Sequence, residues 1–272
     1  MTTPDVRTQI KNSSRSVIKV GTSTLTHSNG KLDLHMIDTL CRIISDLENS
    51  GRQIVLVSSG AIGVGQGKLN RAGQRPKGIA RRQAFAAIGQ LELMFIYDKF
   101  FSEYNNTVAQ ILITADILTD PKSRKNTQNT FKELMKLGVI PIVNENDSVG
   151  TEELEGKNIG DNDQLSAYVA KLIGADSLIL ITDIDGLYSS NPRENPNAER
   201  IPVVREITPE IERLAGSPGS AFGTGGMATK IKAARISTEA GIPCSIISSS
   251  DPNNLYRIFG GEEVGTLFLP KE

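Results

Sequence analysis

The chain has 272 residues, and its 30 Lys and Arg against 31 Asp and Glu give a formal net charge of −1. That length supports one large α/β domain or two lobes, and the balanced charge excludes nucleic-acid binding dominated by a basic face. Two cysteines without CxxC spacing, Cys41 and Cys244, exclude a disulfide framework and a zinc ribbon.

No apolar run reaches the ~18 residues of a membrane span, and Met1–Ser16 lacks the apolar core of a signal peptide. The chain therefore reads as soluble and cytoplasmic, with neither a membrane nor a nucleic acid as partner. Two histidines, His27 and His35, stand against 25 glycines. Histidine general-base chemistry is thus poorly supplied, and backbone-amide chemistry is well supplied. His27 falls in a polar turn and His35 in the first turn of a helix, whereas Cys41 and Cys244 fall at core positions and read as buried structural thiols.

The first predicted strand, Ser16–Val20, runs into Lys19-Val20-Gly21-Thr22-Ser23-Thr24. A lysine near the end of a buried strand is costly unless its ammonium meets an anion. The alternative is an edge-strand lysine followed by an ordinary turn. Leu34, Ile37, Leu40, Cys41, Ile44 and Leu47 keep helical spacing, with Asp33 placed to cap the start and Gly51 to stop the end. Strand Gln53–Val57 leads into Ser58-Ser59-Gly60-Ala61, which suits either an anion at a helix N-terminus or a plain serine cap.

The string Gly63-Val64-Gly65-Gln66-Gly67-Lys68 lacks the Walker spacing and the hydroxyl after lysine, so it is no phosphate loop. Gly65–Lys77 is predicted as a long polar loop. Helix Ala80–Phe101, strand Val108–Thr114, helix Thr127–Leu137 and strand Val139–Val143 follow.

Asn144-Glu145-Asn146-Asp147 and Gly160-Asp161-Asn162-Asp163 flank a candidate lid, Gly150–Lys157. Clustered carboxylates repel unless something cationic joins them, so the two strings fit a ligand amine or a metal. Asp161 also opens the helix Asp161–Ile173, where capping is the simpler reading. Gly174–Ala175 is the expected seam between two lobes.

Strand Ser177–Thr182 then meets Asp183-Ile184-Asp185-Gly186-Leu187-Tyr188, and Ser189–Pro202 reads as a loop. Gly223-Thr224-Gly225-Gly226-Met227-Ala228-Thr229-Lys230 opens helix Met227–Ala240, as an anion cradle or a flexible loop, before strand Cys244–Ser248. Repeated strand–helix alternation with strands apolar on both faces predicts an α/β fold. It is an open, doubly wound, mostly parallel sheet flanked by helices, a three-layer sandwich.

These clusters, in this order, resemble the amino-acid kinase family over essentially Ser16 to Leu269. The match is carried by Ile18–Ser23, Val57–Ile62, Ala86-Ala87-Ile88-Gly89-Gln90, Pro141–Asp147, Gly160–Asp163, Thr182–Tyr188 and Gly223–Lys230. The strand-end lysine and the Thr182–Tyr188 segment are family-wide. Asn144–Asp147, Gly160–Asp163 and Gly223–Lys230 set the members that phosphorylate glutamate apart from those acting on acetylglutamate, aspartate, carbamate or UMP.

The resemblance implies one domain over 1–272, with an acceptor-binding lobe at about 16–174 and a nucleotide-binding lobe at about 175–272. It also implies a short form, without the extra C-terminal PUA domain that many bacterial members carry. The implied reaction is phosphorylation of the γ-carboxylate of L-glutamate by ATP, giving L-glutamyl 5-phosphate, the first step of proline biosynthesis. Such a nucleophile has a pKa of ~4.3 and needs no general base at neutral pH.

By resemblance, Lys19 and Lys230 neutralise phosphate oxygens, Asp163 orients the lysines, and Gly21 and Gly60 contact the phosphoryl group in flight. Ser59, Asp147, Asn162 and Asp161 fall to glutamate. Lys19, Thr182, Asp183, Thr224, Gly225, Gly226, Met227, Ala228, Thr229 and Lys230 fall to the nucleotide. Mg²⁺ bridges the phosphates largely through waters, with no carboxylate assigned to it. The family further implies proline as feedback inhibitor, hand-over of the labile product to glutamyl phosphate reductase, and a homo-oligomer.

Overall fold

Burial of β-branched runs on both faces builds the frame of the computed structural model, which describes residues 3–71, 76–150, 161–192, 194–216 and 226–271. In chain order its elements begin with α1 (Thr3–Lys11), β1 (Arg15–Val20), α2 (Thr22–Leu25), α3 (Leu34–Asn49) and β2 (Gln53–Ser58). Next come α4 (Ala61–Lys68), α5 (Ile79–Glu103), β3 (Thr107–Ile113), α6 (Asp116–Thr119), α7 (Pro121–Lys136), β4 (Val139–Glu145) and α8 (Asn162–Ile173). The remainder is β5 (Ser177–Thr182), β6 (Leu187–Tyr188), β7 (Arg200–Ile201), β8 (Val203–Val204), α9 (Pro209–Leu214), α10 (Met227–Glu239), β9 (Cys244–Ser248), α11 (Asn254–Phe259) and β10 (Thr266–Phe268).

The chain divides into two units, one formed by Met1–Lys19 with Asp163–Glu272 and the other by Val20–Asn162. The strands are mostly parallel and flanked by helices; β3-β4-β2 lie side by side in that order in the second unit and β1-β5-β9-β10-β8 in the first. The antiparallel step is β10 on β9. Parallel register aligns Ile113 with Glu145 and Thr182 with Ser248, so those strand ends finish level. Level carboxyl ends are where an open α/β sheet receives its ligands.

Local chemistry sets the helix limits. The Asp33 carboxylate accepts the Met36 N–H and caps α3, and Gly51, with φ of +95°, carries the chain out of it. Helix α7 begins six residues before the expected Thr127. Asp120 accepts the Lys122 and Ser123 N–H groups and Pro121 takes the first position. Its first turns are polar and exposed, and the buried side chains start only at Phe131, so the apolar period begins late.

The predicted loop Gly65–Lys77 is corrected at its start. Gly65–Lys68 belongs to α4, and 72–75 lie outside the described residues. The glycines there serve backbone-to-backbone packing. A Cβ on Gly65 would sit 2.0 Å from the Phe85 carbonyl oxygen, and one on Gly89 of α5 would sit 1.7 Å from that of Ala61. Packing this close is worth more than the helix propensity that glycine forfeits. No helix among the described residues is long and apolar enough to cross a membrane.

Candidate functional site

Within the first unit, β1, α8 and α10 bring three charged side chains together. Lys19 stands near the buried end of β1, Asp163 in the first turn of α8, and Lys230 in the first turn of α10. The Lys19 Nζ lies 2.5 Å from Asp163 Oδ1 and the Lys230 Nζ 3.1 Å from Oδ2. The Thr229 hydroxyl is 2.8 Å from the same Oδ2 and 2.8 Å from the Gly226 carbonyl, so one proton is shared between two acceptors.

Side-chain exposure is 7% for each lysine and 0% for Asp163. Charges this deep persist only when paired. Burial works against ionisation of Asp163. The Lys19 and Lys230 ammonium groups, with hydrogen bonds from Lys19 and Thr229, outweigh it and hold the carboxyl below the usual Asp range. Two ammonium groups and one carboxylate sum to one positive charge, in a place suited to a polyanion. Cys244 packs nearby, fully buried, and its thiol is pushed up by desolvation and then by the Asp163 charge, so it is inert.

The rest of the expected nucleotide set is partly in view. Thr182 is buried at the end of β5, where its carbonyl accepts the Ser249 N–H at 2.7 Å and its hydroxyl donates to the exposed Asp183 at 3.1 Å. Gly226 precedes α10 without a side-chain cap, and its carbonyl accepts the Thr229 N–H at 3.1 Å as Met227, Ala228 and Thr229 open the helix. Thr224 and Gly225 lie outside the described residues, as does 151–160, which holds most of the candidate lid and Gly160.

In the second unit, a cavity of about 290 Å³ opens between α5 and the ends of β3 and β4. Small side chains, Ala61, Ala86 and Ala87, leave the space; Gln90, Gln110, Glu145 and Asp147 give it polar walls. Asp147, given to glutamate by the resemblance, lines this cavity. Asn146 and Ser148 complete the turn, the Asn146 N–H reaching the Ile113 carbonyl at 2.8 Å.

Ser59 precedes Ala61 in the β2–α4 turn, and its N–H donates to the Val20 carbonyl at 3.1 Å. Gly60 occupies the left-handed region with φ of +106° and faces Thr22. Gly21 precedes α2 and accepts the Thr24 N–H. Ser58 is tied to the buried Tyr97 hydroxyl at 2.9 Å. Asn162 donates from Nδ2 to Asn144 Oδ1 at 3.0 Å, beside Asp161 in the chain. Both histidines are exposed.

Chain-order reading left Gln90 and Gln110 without roles. Gln90 donates from Nε2 to Gln110 Oε1 at 3.2 Å and accepts from the buried Asn144 at 2.9 Å. Its signals were a glutamine on the helical face of Ala86 and Leu93 and its place at the end of the Ala86–Gln90 string that carries the family match. Among the described residues no group of three or more His, Cys, Asp or Glu is placed to hold a metal ion.

Residues 14–248 match the family model described as "Amino acid kinase family". A protein from Clostridium perfringens named glutamate 5-kinase is 50% identical over 98% of this chain and 99% of its own length. One of the same name from Listeria innocua is 51% identical over 98% of this chain and 97% of its own. Among solved structures, the UMP kinase of Bacillus anthracis superposes with a TM-score of 0.66 at 16% identity, covering 96% of this chain and 97% of that one, a likeness of fold alone.

Proposed function

Because the chain belongs to the amino acid kinase family, we propose that it transfers the γ-phosphoryl group of ATP to the γ-carboxylate of L-glutamate, giving L-glutamyl 5-phosphate and ADP. The observation that carries this reading is the buried Lys19–Asp163–Lys230 cluster. Phosphoryl transfer asks for positioning and for positive charge on the transferring oxygens, and for little else. The acceptor carboxylate is already ionised at neutral pH, which suits a site where both histidines are exposed.

In this reading the Val20–Asn162 unit takes glutamate through Ser59, Asp147, Asn162 and Asp161, with Gly21 and Gly60 at the phosphoryl group. The other unit takes the nucleotide through Thr182, Asp183 and the 224–230 segment. Asp163, held ionised, fixes both ammonium groups so that they need not reorganise as charge develops. Bound with the ATP phosphates, Mg²⁺ would supply charge neutralisation there. Proline feedback, hand-over of the acyl phosphate to a reductase, a homo-oligomeric state and a cytoplasmic location belong to the same proposal.

Trapping with hydroxylamine tests it, since an acyl phosphate gives a hydroxamate. Glutamate should give ATP-dependent hydroxamate, whereas N-acetylglutamate and aspartate should give little. Preference for either of those would reassign the acceptor. ATP and glutamate binding without turnover would make the protein a sensor on the same fold.

A further inference from the structure

We infer that Thr266 is a positioning residue of the nucleotide end: its buried hydroxyl ties the β6–β7 hairpin to β10 and so fixes the turn 183–186 that follows β5. The inference rests on the functional reading above and deepens it.

Thr266 is the first residue of β10 and is fully buried. Its hydroxyl accepts the Leu187 N–H at 2.8 Å and donates to the Ile201 carbonyl at 2.7 Å. Leu187 and Ile201 face one another across the β6–β7 ladder, so one oxygen holds the end of both strands. Its single proton goes to the carbonyl and a lone pair to the N–H, which uses the hydroxyl both ways. Gly186 gives an independent sign of the same tie. A Cβ there would stand 2.5 Å from the Thr266 hydroxyl oxygen, so the hydroxyl reaches the hairpin only because residue 186 has no side chain.

The turn between β5 and β6 is held at two ends. At the first, Thr182 lies level with Ser248 of β9, and its carbonyl accepts the Ser249 N–H at 2.7 Å. At the second, Leu187 is held by Thr266. Asp183, given to the nucleotide in the functional reading, stands between them. Thr266 faces Ile246 of β9, two residues before Ser248, so it lies about 7 Å along the strand from that level end.

A second tie runs the same way but is open to water. Arg200 donates to the Gly265 carbonyl, its Nε lies 3.9 Å from Asp185 Oδ2, and the Tyr188 hydroxyl donates to Asp185 Oδ1 at 2.7 Å. Water can replace those contacts; it cannot replace the buried ones at Thr266. Without the hydroxyl, the Leu187 N–H and the Ile201 carbonyl either face an apolar group or close on each other. Both outcomes move Leu187 and, with it, the turn that carries Asp183.

Thr266→Val keeps the shape of the side chain and removes the hydroxyl, whereas Thr266→Ser keeps the hydroxyl. For T266V, the KM for ATP and the Kd for ADP, read by calorimetry, should each rise about fivefold, the equivalent of one hydrogen bond. The KM for glutamate and kcat should stay within about twofold, since Lys19, Asp163 and Lys230 are untouched. T266S should recover most of the loss. Lower stability alone would reduce the amount of active protein and leave both KM values and the Kd unmoved, which separates positioning from a role in folding.

Equal rises in the KM for ATP and for glutamate, no rise in either, or a T266S as impaired as T266V would each overturn the inference. If T266V does not fold, Arg200→Met, at the tie open to water, is read in its place. It loosens the same hairpin and should raise the Kd for ADP about twofold to threefold with the KM for glutamate kept, and an unchanged Kd overturns the inference. A wild-type protein that binds ADP and gives no hydroxamate from glutamate overturns the functional reading and leaves the Kd values to decide this inference. Turnover of glutamate by a T266V protein that holds ADP as tightly as wild type overturns this inference alone.

Discussion

The ammonium of Lys19 lies 2.5 Å from the Asp163 carboxylate, although 143 residues separate them in sequence and neither side chain is more than 7% exposed. A strand end and a helix start place these charges, and the buried carboxylate holds the cation in position before any substrate arrives.

Lys19→Ala and Lys230→Ala should each lower kcat by about a hundredfold or more while changing the KM for glutamate little, because their charge matters most in the transition state. Asp147→Asn should do the reverse. It removes a charge from the wall of the 290 Å³ cavity and should raise the KM for glutamate about tenfold with kcat kept. Steady-state kinetics on the three variants check both statements. An unchanged kcat in the lysine variants would remove them from the phosphoryl site.

Asp163 is the costliest of these groups to remove. Asp163→Asn leaves two buried ammonium groups without their carboxylate, a loss of about 3–5 kcal/mol. The pH dependence follows from the sign of its shift. The folded-state pKa lies below the ordinary 3.8, so the stabilisation is complete above that value and is lost as pH falls through the lower, folded one. The gap in Tm between wild type and D163N should be constant from about pH 8 to 5 and close only in stronger acid.

Most of this site could be read along the chain because its parts sit where buried strands end. β1, β2, β5 and β9 are buried almost throughout, so they stand out as apolar runs, and the polar residues that follow them are conspicuous. What could not be read is pairing at a distance. Gln90 and Asn144 are partners across 54 residues, and neither their spacing nor their type announces it. Helix α4 was hidden for a different reason. Three glycines in Ala61–Lys68 argue against a helix until the close approach of α5 is known. Likewise the start of α7 is carried by Asp120 and Pro121 while its apolar face begins ten residues later, at Phe131.

Glu48 gives a second pH effect, opposite in sign. Near the C-terminal end of α3 it accepts the Ile54 N–H at 2.8 Å, yet desolvation pushes its carboxyl up to about 7, against the smaller opposing pull of that hydrogen bond. A carboxyl raised in the folded state favours the protonated form there. Ionisation then costs stability as pH rises from 4.5 through about 7, with no further cost above. Glu48→Gln keeps an oxygen for Ile54 and removes the titration. Its Tm should match wild type near pH 4 and exceed it near pH 8. Parallel melting curves at both pH values would show that Glu48 carries no such penalty.

The glycines of the α4–α5 pair make the last prediction, since the same substitution should act oppositely at two of them. At Gly63 a Cβ would meet only the Thr22 Cγ2, at 3.4 Å, so Gly63→Ala should be tolerated and even gain up to ~1 kcal/mol from helix propensity. At Gly89 the Cβ would stand 1.7 Å from the Ala61 carbonyl oxygen and 2.5 Å from the Gly65 nitrogen, both backbone atoms that cannot step aside singly. Gly89→Ala must push α4 away from α5, at a cost of about 2 kcal/mol or more. Ala61 lines the cavity, so the displacement should also raise the KM for glutamate while leaving that for ATP unchanged. Denaturant melts of the two variants give the energetic half of the contrast, and acceptor kinetics give the other. A G89A protein as stable as wild type would show that the helices can part without loss, and that the glycine string has another purpose.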